Sequence, residues 1–167
     1  MRGKTFVVAI VALAALAGCS KHGDKQTNAT GNGAGTNTTN HGSTVDTCSL
    51  LTIDEATAAL GEQAKAGVPH SSQTTRQCQW DSANGSVAIL VFVGGQRAHW
   101  AQTYGQSKQV YSTKFSDVPN LGDGAFSNGF DVHVLKGDDM YQIGVAGPFQ
   151  DHVERAIAVA QEALARA

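Results

Sequence analysis

Basic residues are scarce in this chain: 12 Lys and Arg stand against 14 Asp and Glu in 167 residues, a formal charge of −2. That balance supplies no electrostatic footprint for nucleic acid or anionic lipid. Long apolar runs are missing too. The longest, Phe6 to Leu16, would span only about 16 Å as a helix, roughly half the hydrocarbon core, which disfavours a permanent transmembrane anchor. No G-x-S-x-G, H-E-x-x-H, Walker A or G-x-G-x-x-G pattern occurs, which removes the commonest hydrolase, zinc-protease and nucleotide-binding templates. The six histidines (His22, His41, His70, His99, His133, His152) are dispersed, and none pairs with another at metal-ligand spacing. Neither a cofactor nor a metal is expected.

What is present begins at the amino terminus. Arg2 and Lys4 precede the apolar run, and Leu16-Ala17-Gly18-Cys19 closes it with small residues, the layout of a secretory signal. Leu-Ala-Gly-Cys resembles the lipobox of bacterial lipoproteins. The resemblance implies cleavage before Cys19, a thioether-linked diacylglycerol on that residue and further acylation of the new amino terminus. Two or more acyl chains anchor a protein stably where one does not. Loss of Arg2 and Lys4 with the signal leaves 10 basic against 14 acidic residues, a balance of −4. With Cys19 assigned to lipid, Cys48 and Cys78 are the only pair in an exported chain and are expected to form a disulfide, two buried free thiols being the alternative.

Three segments follow: a signal peptide at 1–18, a lipidated cysteine and tether at 19–47, and one folded domain at 48–167. The tether is rich in Asn, Thr and Gly, with Val45 its only large aliphatic residue, a composition that cannot bury enough surface to order itself. In the domain, Thr52 and Glu55 make a capping box, Leu51 can staple onto Ala56 and Gly61 suits the far end, so Thr52 to Leu60 reads as helix. Gln77–Ser82 and Ser86–Val93 flank a turn near Asn84-Gly85, with the second strand expected to be central or buried on both faces. Arg97–Lys108 reads as a second helix, and Val110–Phe115 precedes a loop at Pro119–Asp123. Gly124–Ser127, Phe130–Lys136 and Met140–Ala146 form a meander, the middle strand alternating as if half-buried. Asp151 is expected to cap a C-terminal helix with Val153, Ile157, Ala160 and Leu164 on one stripe. The order α-β-β-α-β-β-β-β-α reads as an α+β two-layer sandwich, an antiparallel sheet packed by a long C-terminal helix and one or two shorter helices.

Candidate chemistry is thin. Asp123, Asp131, Asp138 and Asp139 could gather as a calcium site, but three of them sit at turns, where aspartate bonds its own backbone. Both thiols that could serve as nucleophiles are committed to the disulfide, and Ser86, Ser107 and Ser116 carry no flanking signature. Most of the aromatics (Trp80, Trp100, Tyr104, Tyr111, Phe126, Phe130, Tyr141) are needed in the core. Trp100 and Tyr104, on the weakly amphipathic second helix, are the candidates for an exposed binding surface.

Cys48-Ser-Leu-Leu-Thr52, Ala59-Leu60-Gly61, Cys78-Gln-Trp80 and Leu121-Gly-Asp-Gly-Ala-Phe126 occur in that order. They resemble the small cell-envelope lipoprotein domains of unknown function best known from actinobacteria, and are similar also to some extracellular sensor domains of bacterial kinases. The resemblance covers Cys48 to the end; it implies a Cys48–Cys78 disulfide and a compact α+β sandwich, and carries no catalytic residues. The functional expectation is a non-catalytic binding or interaction domain, held to a membrane by lipid on Cys19, meeting an envelope protein or small ligand and no nucleic acid. Its place is the cell envelope: the outer membrane facing the periplasm in a Gram-negative cell, otherwise the outer face of the plasma membrane. A small envelope hydrolase or metal-dependent enzyme is the competing expectation, and a structural envelope lipoprotein the third.

Overall fold

The computed structural model describes residues 45–167; the expected signal peptide, Cys19 and nearly all of the tether lie outside the described residues. A 3₁₀ turn at Thr47–Ser49 is followed by α1 (Ile53–Leu60), β1 (Val68–Ser71), β2 (Thr75–Asp81), β3 (Ser86–Phe92), α2 (Gln96–Val110), β4 (Ser116–Asp117), β5 (Gly124–Ser127), β6 (Asp131–Lys136), β7 (Asp139–Ala146) and α3 (His152–Arg166). All seven strands join one antiparallel sheet in the order β1-β2-β3-β7-β6-β5-β4. The protein is an α+β fold with a C-terminal helix on the sheet.

Strand pairing fixes which side chains share a face. Cys78 and Trp80 of β2, Val87, Ile89 and Val91 of β3, Tyr141, Ile143 and Val145 of β7, and Val132 and Val134 of β6 stand opposite one another in register, and all are buried. Helices α1 and α3 cover this face and complete the main sandwich. The capping box at Thr52 and Glu55 is formed, and Gly61 ends α1 in the left-handed region at φ 68°. Arg155 donates to the Ala59 carbonyl at 2.7 Å and Arg166 to Glu55 at 2.6 Å, which clamps α1 against α3. The Cys48–Cys78 disulfide is present, tying the 3₁₀ turn to β2. Gly67 lies against it: a Cβ there would come within 2.6 Å of Cys78 Sγ and 2.8 Å of the Trp80 ring.

Several local expectations are corrected. Val110 closes α2 and the residues after it turn, so Val110–Phe115 is not a strand, and pairing resumes only at Ser116. Strand β1 was not expected, because its four residues are all exposed and carry no alternation, with Pro69 in their midst. The middle meander strand is buried on both faces, since α2 covers the side that alternation assigned to solvent. Strand β3 is interior in the sheet but keeps one half-exposed face. Asp151 stands at the N-cap of α3 without bonding its backbone; its carboxylate accepts from Arg155 Nε at 2.9 Å instead. The buried stripe of α3 centres on Ala156, Val159, Ala160, Ala163 and Leu164, small residues that let the helix approach the sheet closely, while Val153 and Ile157 are only partly buried.

A candidate binding groove beside α2

Helix α2 has no fully buried residue, so its position on the second face of the sheet needs other supports. Its amino terminus is capped from across the fold by the β6–β7 turn. Asp139 accepts from the Gly94 amide and Asp138 from the Gly95 amide, each at 2.7 Å, and the Asp138 carbonyl accepts from Gln96 N at 3.0 Å. These acidic groups satisfy orphan amides and complement the positive end of the helix. Farther along, Trp100 and Tyr104 lie one turn apart and both reach Phe126 of β5, with ring centroids 5.4 and 5.6 Å away. Phe115 stacks on Phe126 at 5.2 Å, and His133 stacks on its neighbouring side at 4.8 Å. Phe126 is fully buried at the centre of this cluster.

Between α2 and the loop that joins β4 to β5 runs a groove of about 300 Å³, lined by Trp100, Tyr104, Asp117, Asn120 and Asp123 among others. Tyr104 Oη donates to Asp117 Oδ1 at 2.6 Å. That donation to a carboxylate, with desolvation and the Asp117 charge added, pushes the phenol pKa above its ordinary value. Asp117 therefore presents a fixed carboxylate beside two aromatic rings.

The loop wall explains the run Leu121 to Phe126 residue by residue. Leu121 is buried. Gly122 sits at φ 60°, and a Cβ there would collide with the Leu135 carbonyl. Asp123 accepts from the Gly137 amide at 3.0 Å and pairs with Arg97, which together hold its carboxyl below the ordinary carboxylate range. A Cβ on Gly124 would stand 3.2 Å from Trp100 Nε1, so glycine lets the indole close over the strand. Asn120 at φ 60° is the one non-glycine residue with positive φ among the described residues, a conformation that asparagine tolerates better than most.

The two aromatics singled out from the sequence, Trp100 and Tyr104, are thus brought together at one groove, half-buried rather than free. Asp117 and Asn120 were missed, because their roles depend on β4 pairing and loop geometry that carry no local signature. Of the four aspartates considered for calcium, Asp138 and Asp139 bind backbone amides, Asp123 binds an amide and Arg97, and Asp131 accepts from Gln142 at 2.9 Å. No group of three His, Cys, Asp or Glu among the described residues is placed to hold a metal ion. His133 is buried against Phe126 and contacts Asn128 at 3.3 Å, and His152 meets the Gly129 carbonyl at 3.0 Å.

The family model described as Protein of unknown function (DUF3558) matches residues 14–131. The chain belongs to that family. The match takes in both disulfide cysteines, all of α2 and the groove loop, and ends at the first residue of β6. No curated protein and no solved structure matches the chain.

Proposed function

We propose that the protein is a lipid-anchored, extracytoplasmic domain that binds rather than catalyses, with the groove beside α2 as its ligand site. The anchor rests on Leu16-Ala17-Gly18-Cys19 behind a charged and apolar leader. The disulfide supports an oxidising compartment outside the cytoplasm. The groove carries the binding half of the proposal: Trp100 and Tyr104 line it beside the Asp117 carboxylate, Asn120 and Asp123, an even mix of aromatic and polar surface suited to a small polar ligand. The Tyr104 to Asp117 hydrogen bond and the packing of both rings on Phe126 set the orientation of these groups before a ligand arrives.

Two experiments separate the halves. Membranes from cells making the intact chain are washed in high salt and probed for the protein; Cys19→Ala is expected to leave the membrane fraction, and its retention would refute the lipid anchor. The chain beginning at Ser20 is screened by amide-shift NMR against envelope glycan fragments and small amines. Shifts confined to α2 and residues 117–125, lost in Trp100→Ala, are expected. Shifts elsewhere, or none from either class, would refute the site.

A further inference from the structure

Five large apolar side chains are exposed among the described residues, and three of them, Val110 at 71 %, Tyr111 at 36 % and Phe130 at 49 %, gather at one corner. The Tyr111 and Phe130 rings meet edge to face with centroids 6.2 Å apart. The corner is built from two tips: the carboxyl end of α2 and the turn between β5 and β6. Lys114 places its ammonium 4.2 Å from the centre of the Phe130 ring, and Lys108 hangs over Tyr104 and Phe115 at 5.7 and 5.8 Å.

Among the described residues most other cations are occupied, Lys65 being exposed and Arg76 donating to the carbonyls of Ser72 and Thr75. Arg97, Arg155 and Arg166 pair with Asp123, Asp151 and Glu55, and Lys136 donates to the carbonyls of Leu164 and Ala167. Lys114 lies on the Phe130 face, and Lys108, three residues before Tyr111, projects from the same side of α2, so two cations flank the exposed rings. The overall balance of the chain conceals that pattern. Asp117 accepts from Tyr104, and Asp131, next to Phe130 in sequence, accepts from Gln142.

The turn that carries Phe130 is held by its own hydrogen bonds. Asn128 Oδ1 accepts from the Phe130 and Asp131 amides at 2.9 and 2.8 Å, and Ser127 Oγ from the Gly129 amide at 3.0 Å. Gly129 sits at φ 86° so close beneath Lys114 that no Cβ fits, and His152 contacts the Gly129 carbonyl from the other side.

We propose that Val110, Tyr111 and Phe130, flanked by Lys108 and Lys114, form a surface that seats on an anionic phospholipid bilayer. Aromatic and aliphatic tips enter the headgroup boundary while the lysines meet lipid phosphates, the division of labour found at membrane interfaces. The inference takes from the proposed function only that the domain works beside a bilayer. The 25 residues from 20 to 44 can extend to about 85 Å, against a domain about 35 Å across, so any face of it can turn to the membrane.

The test uses the mature chain carrying Cys19→Ala, which has no lipid of its own, sedimented with vesicles of phosphatidylcholine alone or of phosphatidylcholine and phosphatidylglycerol. Binding is expected to the anionic vesicles and to weaken in high salt. Lys108→Gln and Lys114→Gln are each expected to lower the partition coefficient about fivefold, and together roughly thirtyfold. Phe130→Ser should weaken binding, whereas Ile53→Ser, exposed but off the corner, should not. Absence of binding, equal binding to both vesicle types, or indifference to the corner variants would overturn the inference. So would a corner that captures a purified envelope protein but no vesicles. Each such result leaves the Cys19 anchor standing, because that anchor is absent from the assay and is read separately by cell fractionation.

Discussion

Removing the Cys48–Cys78 cross-link is expected to cost much of the domain's stability. The bridged residues are 30 apart in sequence, and closing a loop of that length removes denatured-chain entropy equivalent to about 3.6 kcal/mol at 25 °C. Spread over roughly 120 folded residues, an unfolding entropy of about 2.1 cal/mol/K per residue converts that loss into a drop of about 14 °C in Tm. The cross-link does more than shorten the free chain, because Cys78 is fully buried beside Trp80 and packs against Gly67. The assay is thermal unfolding followed by far-ultraviolet circular dichroism. The background is the mature chain carrying Cys19→Ala, so that no third thiol confuses the result. Cys48→Ala, Cys78→Ala and the double variant are compared with that parent. Each single variant already lacks the bridge, so the double variant should melt close to the singles rather than at the sum of their losses. A double variant melting within about 3 °C of the parent would refute the entropic argument.

Three further outcomes follow from the packing. Gly122→Ala should lower Tm strongly, because both its positive φ and the nearby Leu135 carbonyl exclude a side chain, whereas Gly105→Ala, on α2 with open space around it, should not lower it. Burial pushes the pKa of His133 below the ordinary value, against a smaller opposing effect of the Asp131 charge. The unfolded chain therefore binds more protons just below about pH 6.5; the stability from keeping this ring neutral is complete above that value and lost as pH falls through the folded pKa. Tm of the parent should then drop between about pH 7.5 and 5.5 more than that of His133→Phe, and parallel curves would count against the assignment. Helix α2 buries no residue completely while α3 buries five, so hydrogen exchange should be faster across Gln96–Val110 than across Ala156–Leu164; equal protection would show that α2 is held more firmly than its contacts indicate.

What could be read from the chain divides along physical lines. Elements whose signals are local were legible: the Thr52–Glu55 box, the left-handed Gly61, the β3 run and the meander punctuated by Asn128-Gly129 and Gly137-Asp138. The pairing of Cys48 with Cys78 followed from cysteine arithmetic. Elements defined by neighbours were not. Strand β1 exists because β2 offers it an edge, and Val110–Phe115 has the residues of a strand yet finishes a helix and turns. Val132 and Leu135 lie on opposite faces and are both buried, because α2 closes over a face that periodicity leaves to solvent. The groove was half legible: Trp100 and Tyr104 stood out as aromatics on a poorly amphipathic helix, while Asp117 acquires meaning only when β4 brings it to the Tyr104 hydroxyl. The Leu121–Phe126 run was recognisable as a motif, but each residue's reason lies in contacts with α2 and β6.

The central claim is that the folded domain works tethered to a membrane through Cys19. Mass spectrometry of the amino-terminal peptide, from protein extracted out of the membrane fraction with detergent, tests it most directly. A peptide beginning at Cys19 and carrying the added mass of diacylglycerol and an amide-linked acyl chain is the expected result. A peptide that begins at Met1, or an unmodified cysteine at position 19 in membrane-associated protein, would contradict it.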